Sequence, residues 1–400
     1  MAGPSIFRVL RHRNFRLYWA GQGVSLVGTW MQVMAQGWVL TGLSPEAWAL
    51  GAFNVAGSLP MLLLGARGGE LADRRDKRVI LLWTQLCMMA LSLGFALLVA
   101  SGALLLWHVL LFGAVASVVE AFEFPAAQGF APELVDKEDI PAAVAMVQTV
   151  FQGARLVGPA LAGLAIKHLG EASAFVFNGL SFLAVIGCLL AIRRPPARPA
   201  GEPGAPPRFS EGWRYVRNDG VTGALLGLMV LGMVLVFPFM VMMPHLGRHV
   251  LGADAAGMGD LLSASGVGAV VGSVLLLRLP AESWRPRLAA TVVVLAGSLF
   301  ALAHVHALTG ALVVVGALSG AMAVLMGSVN QTVQARVPAE LRGRVTAVFG
   351  MAFTSVLPFS AMALSLAADA VGMALLLQGC AGLFLLAGAA VLTAAHRARD

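Results

Sequence analysis

The tract Gly69-Glu70-Leu71-Ala72-Asp73-Arg74-Arg75-Asp76-Lys77-Arg78-Val79-Ile80-Leu81 places seven charged residues between two apolar runs, 47–68 and 79–100. Each run is close to the ~20 residues that cross a hydrocarbon core of ~30 Å. A polar link this short has no room for a domain, so it joins two helices on one membrane face. Gly69 reads as a place for a close helix approach or for a turn that a side chain would block. Asp73, beside four cations, stays ionised and is placed to receive the amides of a helix N-terminus, where negative charge is favoured by ~0.3–1 kcal/mol. The plainer alternative is a basic loop that only sets topology.

Composition supports the membrane reading. The chain has 400 residues, 58% hydrophobic and 12% charged, against about 25% charged in soluble domains; its mean hydropathy is +0.83. The net charge of +7 is scattered over short loops, which fits orientation signals and not nucleic-acid binding. Cys87, Cys188 and Cys380 lie far apart inside apolar runs, without metal-ligand spacing, and read as small buried hydrophobes. No catalytic, phosphate-binding or dinucleotide motif is present, so neither an enzyme nor a cofactor nor a metal is expected.

Apolar segments of spanning length fall at 15–40, 47–68, 79–100, 104–124, 142–167 and 173–192, and again at 221–247, 256–277, 287–304, 308–330, 344–367 and 370–393. They predict an all-α integral membrane protein of about twelve transmembrane helices. The expected organisation is a six-helix bundle over 1–192, a linker over 193–220 and a second six-helix bundle over 221–400. The linker is rich in Pro and Gly up to Arg208, and Phe209 to Asn218 fits a short amphipathic helix with Trp213 and Tyr215 as surface anchors. With an even number of spans, 23 of the 27 Lys and Arg fall on one face, which puts both termini and the linker in the cytoplasm. A shift of 202 residues lays Val135, Glu138 and Ala145 on Val337, Glu340 and Ala347, as two related halves require.

Polar residues inside the spans carry the functional expectation, because lipid penalises them unless they face a cavity or one another. The first helix has Gln22, Thr29 and Gln36 at seven-residue spacing, with Ser25 and Gln32 nearby. This stripe reads as cavity lining; the alternative is hydrogen bonding between helices. Asn54 is a further candidate. The fifth helix has Gln148, Gln152 and Arg155 on one face, with Arg155 near mid-membrane. An arginine there keeps its proton, and can bind an anion or hold a carboxylate. Glu120 and Glu123 precede Pro125 on the fourth helix. With Arg155 they fit a charge relay at an inner gate; direct proton coupling and a structural ion pair remain open.

Gly69, Leu71, Ala72, Asp73, Arg74, Arg78 and Leu81 resemble the signature between helices 2 and 3 of the major facilitator superfamily, with Lys77 a like-charge replacement and Asp76 where most members have Gly. Gly158, Pro159 and Gly163 resemble part of the glycine-rich motif on helix five of the superfamily's exporters, with Ala145, Ala154 and Ala162 replacing glycines. Phe15-Arg-Leu-Tyr-Trp19, Gly28-Thr-Trp-Met-Gln32, Phe122-Glu-Phe-Pro-Ala126 and Phe177-Asn-Gly-Leu-Ser-Phe182 look like the enterobactin-exporter-like and macrolide-efflux-like branch.

The resemblance implies two pseudo-symmetric bundles and alternating access in a bacterial inner membrane. It further implies export of a drug, siderophore or related metabolite, driven by protons. Gly69, Asp73, Arg74, Lys77 and Arg78 would form the gate, bridging at the cytoplasmic side to the region near Arg344 and to the acids of helix four. The expected partners are a small-molecule substrate, protons and membrane lipids, and the expected state is a monomer. Metabolite uptake, a lysolipid or lipid flippase and a non-transporting sensor are the other readings.

Overall fold

The computed structural model describes residues 6–193, 209–280 and 283–397. The Pro/Gly-rich linker expected over 193–208 lies almost wholly outside the described residues. After a 3-10 turn at Ile6–Arg11, the first half consists of α1 (Arg13–Leu43), α2 (Trp48–Arg74), α3 (Lys77–Ala100), α4 (Leu106–Glu133), α5 (Ile140–Leu169) and α6 (Ala172–Ala191). Then come α7 (Phe209–Asn218), α8 (Gly220–Leu235), two short pieces α9 (Pro238–Val241) and α10 (Met243–His245), α11 (Ala255–Arg278), α12 (Trp284–Leu302), α13 (Leu308–Arg336), α14 (Ala339–Val371) and α15 (Met373–Arg397). There is no strand among the described residues.

Eleven spans among the described residues are long and apolar enough to cross a membrane. α1 is 31 residues long, but its glutamines lower its hydropathy and it is not one of them. The segment expected as one helix over 221–247 is broken: α8 ends at Leu235, Pro238 starts α9, and Pro244 is the second residue of α10. A proline lacks the N–H that would continue the ladder, so the backbone restarts at each one.

The described residues divide into two compact units. The first takes 6–44, 55–193 and Ala253–Ser263; the second takes Pro45–Asn54, 209–252 and 264–397. In the first, α1 packs on α5 and α6, and α3 packs on α4 and α6. In the second, α12 packs on α13 and α15, α8 on α15 and α14, and α7 on α14.

The halves end corresponding helices in the same way. α5 stops at Gly170 (φ +87°) and α14 at Gly372 (φ +86°), and each glycine N–H donates to the carbonyl four residues back. A side chain is disfavoured at that φ, and the two positions are related by the same shift of 202 residues. The shift also carries Lys167 onto Asp369. In the first unit Lys167 pairs with Asp254 at 3.2 Å, and Asp254 accepts the Gly257 N–H at 2.8 Å to cap α11. In the second, Asp369 accepts the N–H groups of Ala47 and Trp48 at 2.7 and 2.8 Å and caps α2. Each repeat thus fastens the end of one long helix to the first turn of another.

Candidate functional site

The signature tract is mostly helical. α2 runs on through Gly69 to Arg74, only Arg75 and Asp76 break the helix, and Lys77 begins α3. Asp76 accepts the Arg78 N–H at 2.9 Å and caps α3, at φ −60°. The turn therefore has no need of the glycine most relatives of the motif carry. This corrects the expectation for Asp73: the cap belongs to Asp76, and Asp73 sits exposed on the last turn of α2. Asp73 makes no hydrogen bond or ion pair among the described residues.

Gly69 is corrected too. A Cβ there would meet open space, whereas one on Gly68 would collide with the carbonyl oxygen of Ala121 on α4. One residue turns a helix by about 100°, so the neighbouring glycine, and not Gly69, faces α4.

The cations of the tract have partners other than those expected. Arg74 pairs with Glu70 one turn back at 2.7 Å, on an exposed face. Lys77 Nζ pairs with Glu133 Oε1 at 2.7 Å, and Arg78 Nη2 donates to the Leu190 carbonyl on α6 at 3.1 Å. The acid of α4 reached by the tract is thus Glu133, not Glu120 or Glu123. Pro125 lies inside α4 instead of ending it, so the helix end moves on to Glu133. Arg344, the expected partner on the far half, pairs with Glu211 of α7 within its own unit. Gly212 sits against the Arg344 carbonyl, where a Cβ would be 2.5 Å from the oxygen.

Glu120 and Glu123 lie one turn apart on α4, but neither pairs with Arg155 among the described residues. Glu123 accepts the Gln85 amide of α3 at 2.7 Å, and Glu120 stands exposed on the face of α4. Arg155, midway along α5, lies 5.7 Å above the Trp30 ring, and Trp30 meets Phe151 edge-on at 5.6 Å. No carboxylate pairs with Arg155 among the described residues. Among the described residues its cation is held only by the ring face, a contact worth ~0.5–2 kcal/mol. On the same helix Gln148 is exposed and Gln152 half-buried.

The α1 stripe divides by partner. Gln22 donates to the Tyr18 hydroxyl at 3.1 Å, and Thr29 donates to the Ser25 carbonyl at 3.0 Å. Ser25, Gln32 and Gln36 are buried. The Gln32 amide oxygen accepts from Ser92 on α3 at 2.6 Å and from Asn178 on α6 at 2.9 Å. Gln32 is therefore engaged in a three-helix junction. Ser92 and Asn178 were not singled out from the sequence as site residues; their signal was a polar residue on an otherwise apolar helix. Asn54 Oδ1, in the second unit, is buried without a partner among the described residues.

The helix-five motif has a packing role on two sides. A Cβ on Gly158 would stand 2.5 Å from Trp30 Cβ on α1, and one on Gly163 2.6 Å from the Ala255 carbonyl oxygen. Gly259 meets the Pro159 oxygen at the same distance. Small residues here let helix backbones approach, and Gly158 sets Trp30 where it lies under Arg155.

Long apolar helices in two compact units, with ion pairs gathered at helix ends, define a multi-pass membrane protein of the major facilitator fold. Among solved structures, a bacterial homologue of the human lysosomal transporter Spinster matches with TM-score 0.76 and 14% identity, over 100% of this chain and 98% of that one. A bacterial homologue of the iron transporter ferroportin matches with TM-score 0.73 and 17% identity, over 96% and 98%. The model of the transmembrane secretion effector family matches residues 4–400. The chain belongs to this family, a branch of the major facilitator superfamily, whose members are transporters and not enzymes.

Macrolide efflux protein A of Streptococcus pyogenes is 25% identical over 66% of this chain and 66% of its own length. The staphyloferrin A transporter of Staphylococcus aureus is 23% identical over 44% of each. The matches span less than two thirds of these relatives' own length.

Proposed function

We propose that the protein is a secondary active transporter that exports a small molecule across a bacterial inner membrane by proton-coupled antiport. Its two halves, 1–192 and 221–400, alternate access to a central site, with 193–220 as their cytoplasmic link and both termini in the cytoplasm. The family match and the efflux protein among its relatives support export.

The observation that carries the reading is Arg155. A cation at mid-span without a carboxylate is costly in lipid and is tolerated where it faces water or a ligand. Arg155 on its Trp30 platform is the recognition point for the substrate, with Gln148, Gln152, Gln22 and Thr29 as polar wall. A drug, siderophore or related metabolite with an aromatic or anionic group meets both partners. Glu123 is the proton carrier: it already accepts one hydrogen bond, from Gln85, and protonation converts the carboxylate from a pure acceptor into a donor. Asp73, without a partner among the described residues, is free to engage the second half in another state, with Arg74, Lys77 and Arg78 beside it.

The test is substrate-driven proton movement in proteoliposomes, screened with hydrophobic drugs and siderophores. Proton flux that depends on a substrate, falls at least tenfold in Arg155→Ala and is lost in Glu123→Gln is expected. Substrate movement without protons would remove the antiport, and unchanged transport by a well-inserted Arg155→Ala protein would remove the site. Well-folded Asp73→Asn should also lose transport; unchanged export would exclude Asp73 from the gate.

A further inference from the structure

The second unit contains a cavity of about 860 Å³ between α11, α12 and α13, within the range of small-molecule sites, ~300–1,000 Å³. Its back wall is built by glycines. Gly268 and Gly272 of α11 face Gly316 and Gly320 of α13, and a Cβ on either α11 glycine would strike the opposing carbonyl oxygen. The two backbones touch there, and the trough lies in front of that contact, floored by main-chain atoms. Val271 and Leu275 form one wall and Ala290 and Val294 the other. Val271, Leu275 and Val294 are exposed, so the trough opens sideways, where lipid lies.

The trough is polar at one end only. From Ala264 to the end of α11 at Arg278 it runs for about 21 Å at the helical rise, longer than the ~15 Å of hydrocarbon in one leaflet. Ser283, Arg287 and Thr291 gather at the end where α11 finishes and α12 starts. The two hydroxyls are occupied, by the Pro280 and Arg287 carbonyls. Arg287 is only 7% exposed. Its Nη1 donates to the Pro280 carbonyl at 3.1 Å, but its Nε and Nη2 are buried without a partner among the described residues. Those two nitrogens form one edge of the guanidinium, with parallel N–H bonds that fit two oxygens of a single oxyanion.

We propose that this trough binds one anionic phospholipid. A phosphate oxygen pair accepts from Arg287 Nε and Nη2, and an acyl chain lies along the glycine floor. A free phosphate would satisfy the arginine and leave the apolar length unfilled; a zwitterionic lipid would fill the length with a weaker claim on the cation. In the orientation proposed above the lipid belongs to the inner leaflet. The site is separate from Arg155 and does not depend on the direction of transport.

The test is native mass spectrometry of the purified full chain titrated with phosphatidylglycerol or phosphatidylcholine of the same chain length. One phosphatidylglycerol should bind about tenfold more tightly than phosphatidylcholine, as expected for charge-assisted hydrogen bonds. Arg287→Gln should abolish the preference, and Val271→Trp, which fills the trough from its open side, should weaken both lipids. Equal affinity of the two lipids for the unmodified protein overturns the proposal, as does a preference that survives Arg287→Gln. Displacement of phosphatidylglycerol by equimolar inorganic phosphate also overturns it, since the trough would then contribute nothing. If Arg287→Gln does not fold, the lipid comparison and Val271→Trp still decide.

Discussion

Replacing Gly68 and Gly69 separately by alanine should have opposite effects. At Gly68 the added methyl collides with the Ala121 carbonyl oxygen and lies 2.8 Å from its carbon and 3.2 Å from Phe122 Cα. All three atoms are backbone, so α2 and α4 must separate, and overpacking of this kind costs about 1–3 kcal/mol. At Gly69 the methyl enters open space, and Gly→Ala inside a helix gains roughly 0.5–1 kcal/mol. The same helical gain applies at Gly68 and offsets part of the clash, so the two variants should differ by about 1–3 kcal/mol. Both residues lie in one compact unit, so the comparison does not depend on the transport state. The assay is reversible SDS or thermal unfolding of the two purified variants and the parent. Equal shifts, or a Gly69→Ala protein less stable than Gly68→Ala, would refute the close approach of α2 to α4.

Asp76→Ala should cost about 1 kcal/mol through the lost cap of α3, read by the same unfolding assay, while Asp73→Ala leaves stability unchanged. Gln32→Ala removes the acceptor shared by Ser92 and Asn178. Asn178 is then stranded in a buried junction, for a loss of about 1–3 kcal/mol in denaturant titrations. The Asp254 carboxyl is held below its ordinary 3.8 by the Gly257 N–H and then by Lys167. A lowered folded value means that this stabilisation is fully present above about pH 4 and is lost as pH falls through the folded value. Thermal melts of the parent should therefore lose this increment at acid pH, and Asp254→Asn, which keeps an N-cap oxygen, should lack that part of the pH dependence.

Several features were legible because they are local. Apolar length marks a span in any fold, so most helix starts were read to within a few residues, while the polar last turns of α2 and α13 carry those helices about six residues past the apolar runs 47–68 and 308–330. Proline gave misleading boundaries in both directions. The span 104–124 stops short of Pro125, yet α4 runs through it to Glu133, while Pro238 and Pro244 interrupt the segment expected as one helix over 221–247. In each case neighbouring helices decide whether the lost hydrogen bond is tolerated. The candidate site was legible as residue types and not as partners. Gln32, Arg155 and Glu123 stand out as polar groups on apolar helices, but periodicity says only which face they share. Gln32 meets Ser92 and Asn178 on two other helices, and Arg155 meets a ring instead of an acid.

By itself, then, the sequence determined the membrane class, the helix count to within one and the repeat of two halves. Hydrophobic length and backbone conformation are properties of short stretches, and short stretches carry them in any surroundings. Only the tertiary structure decided that Gly68 and not Gly69 faces α4, that Lys77 finds Glu133, and that Arg287 lies at the end of an apolar trough with one edge of its guanidinium unpaired. Each depends on which helix lies opposite and at what height. Those quantities arise from packing between residues far apart in the chain.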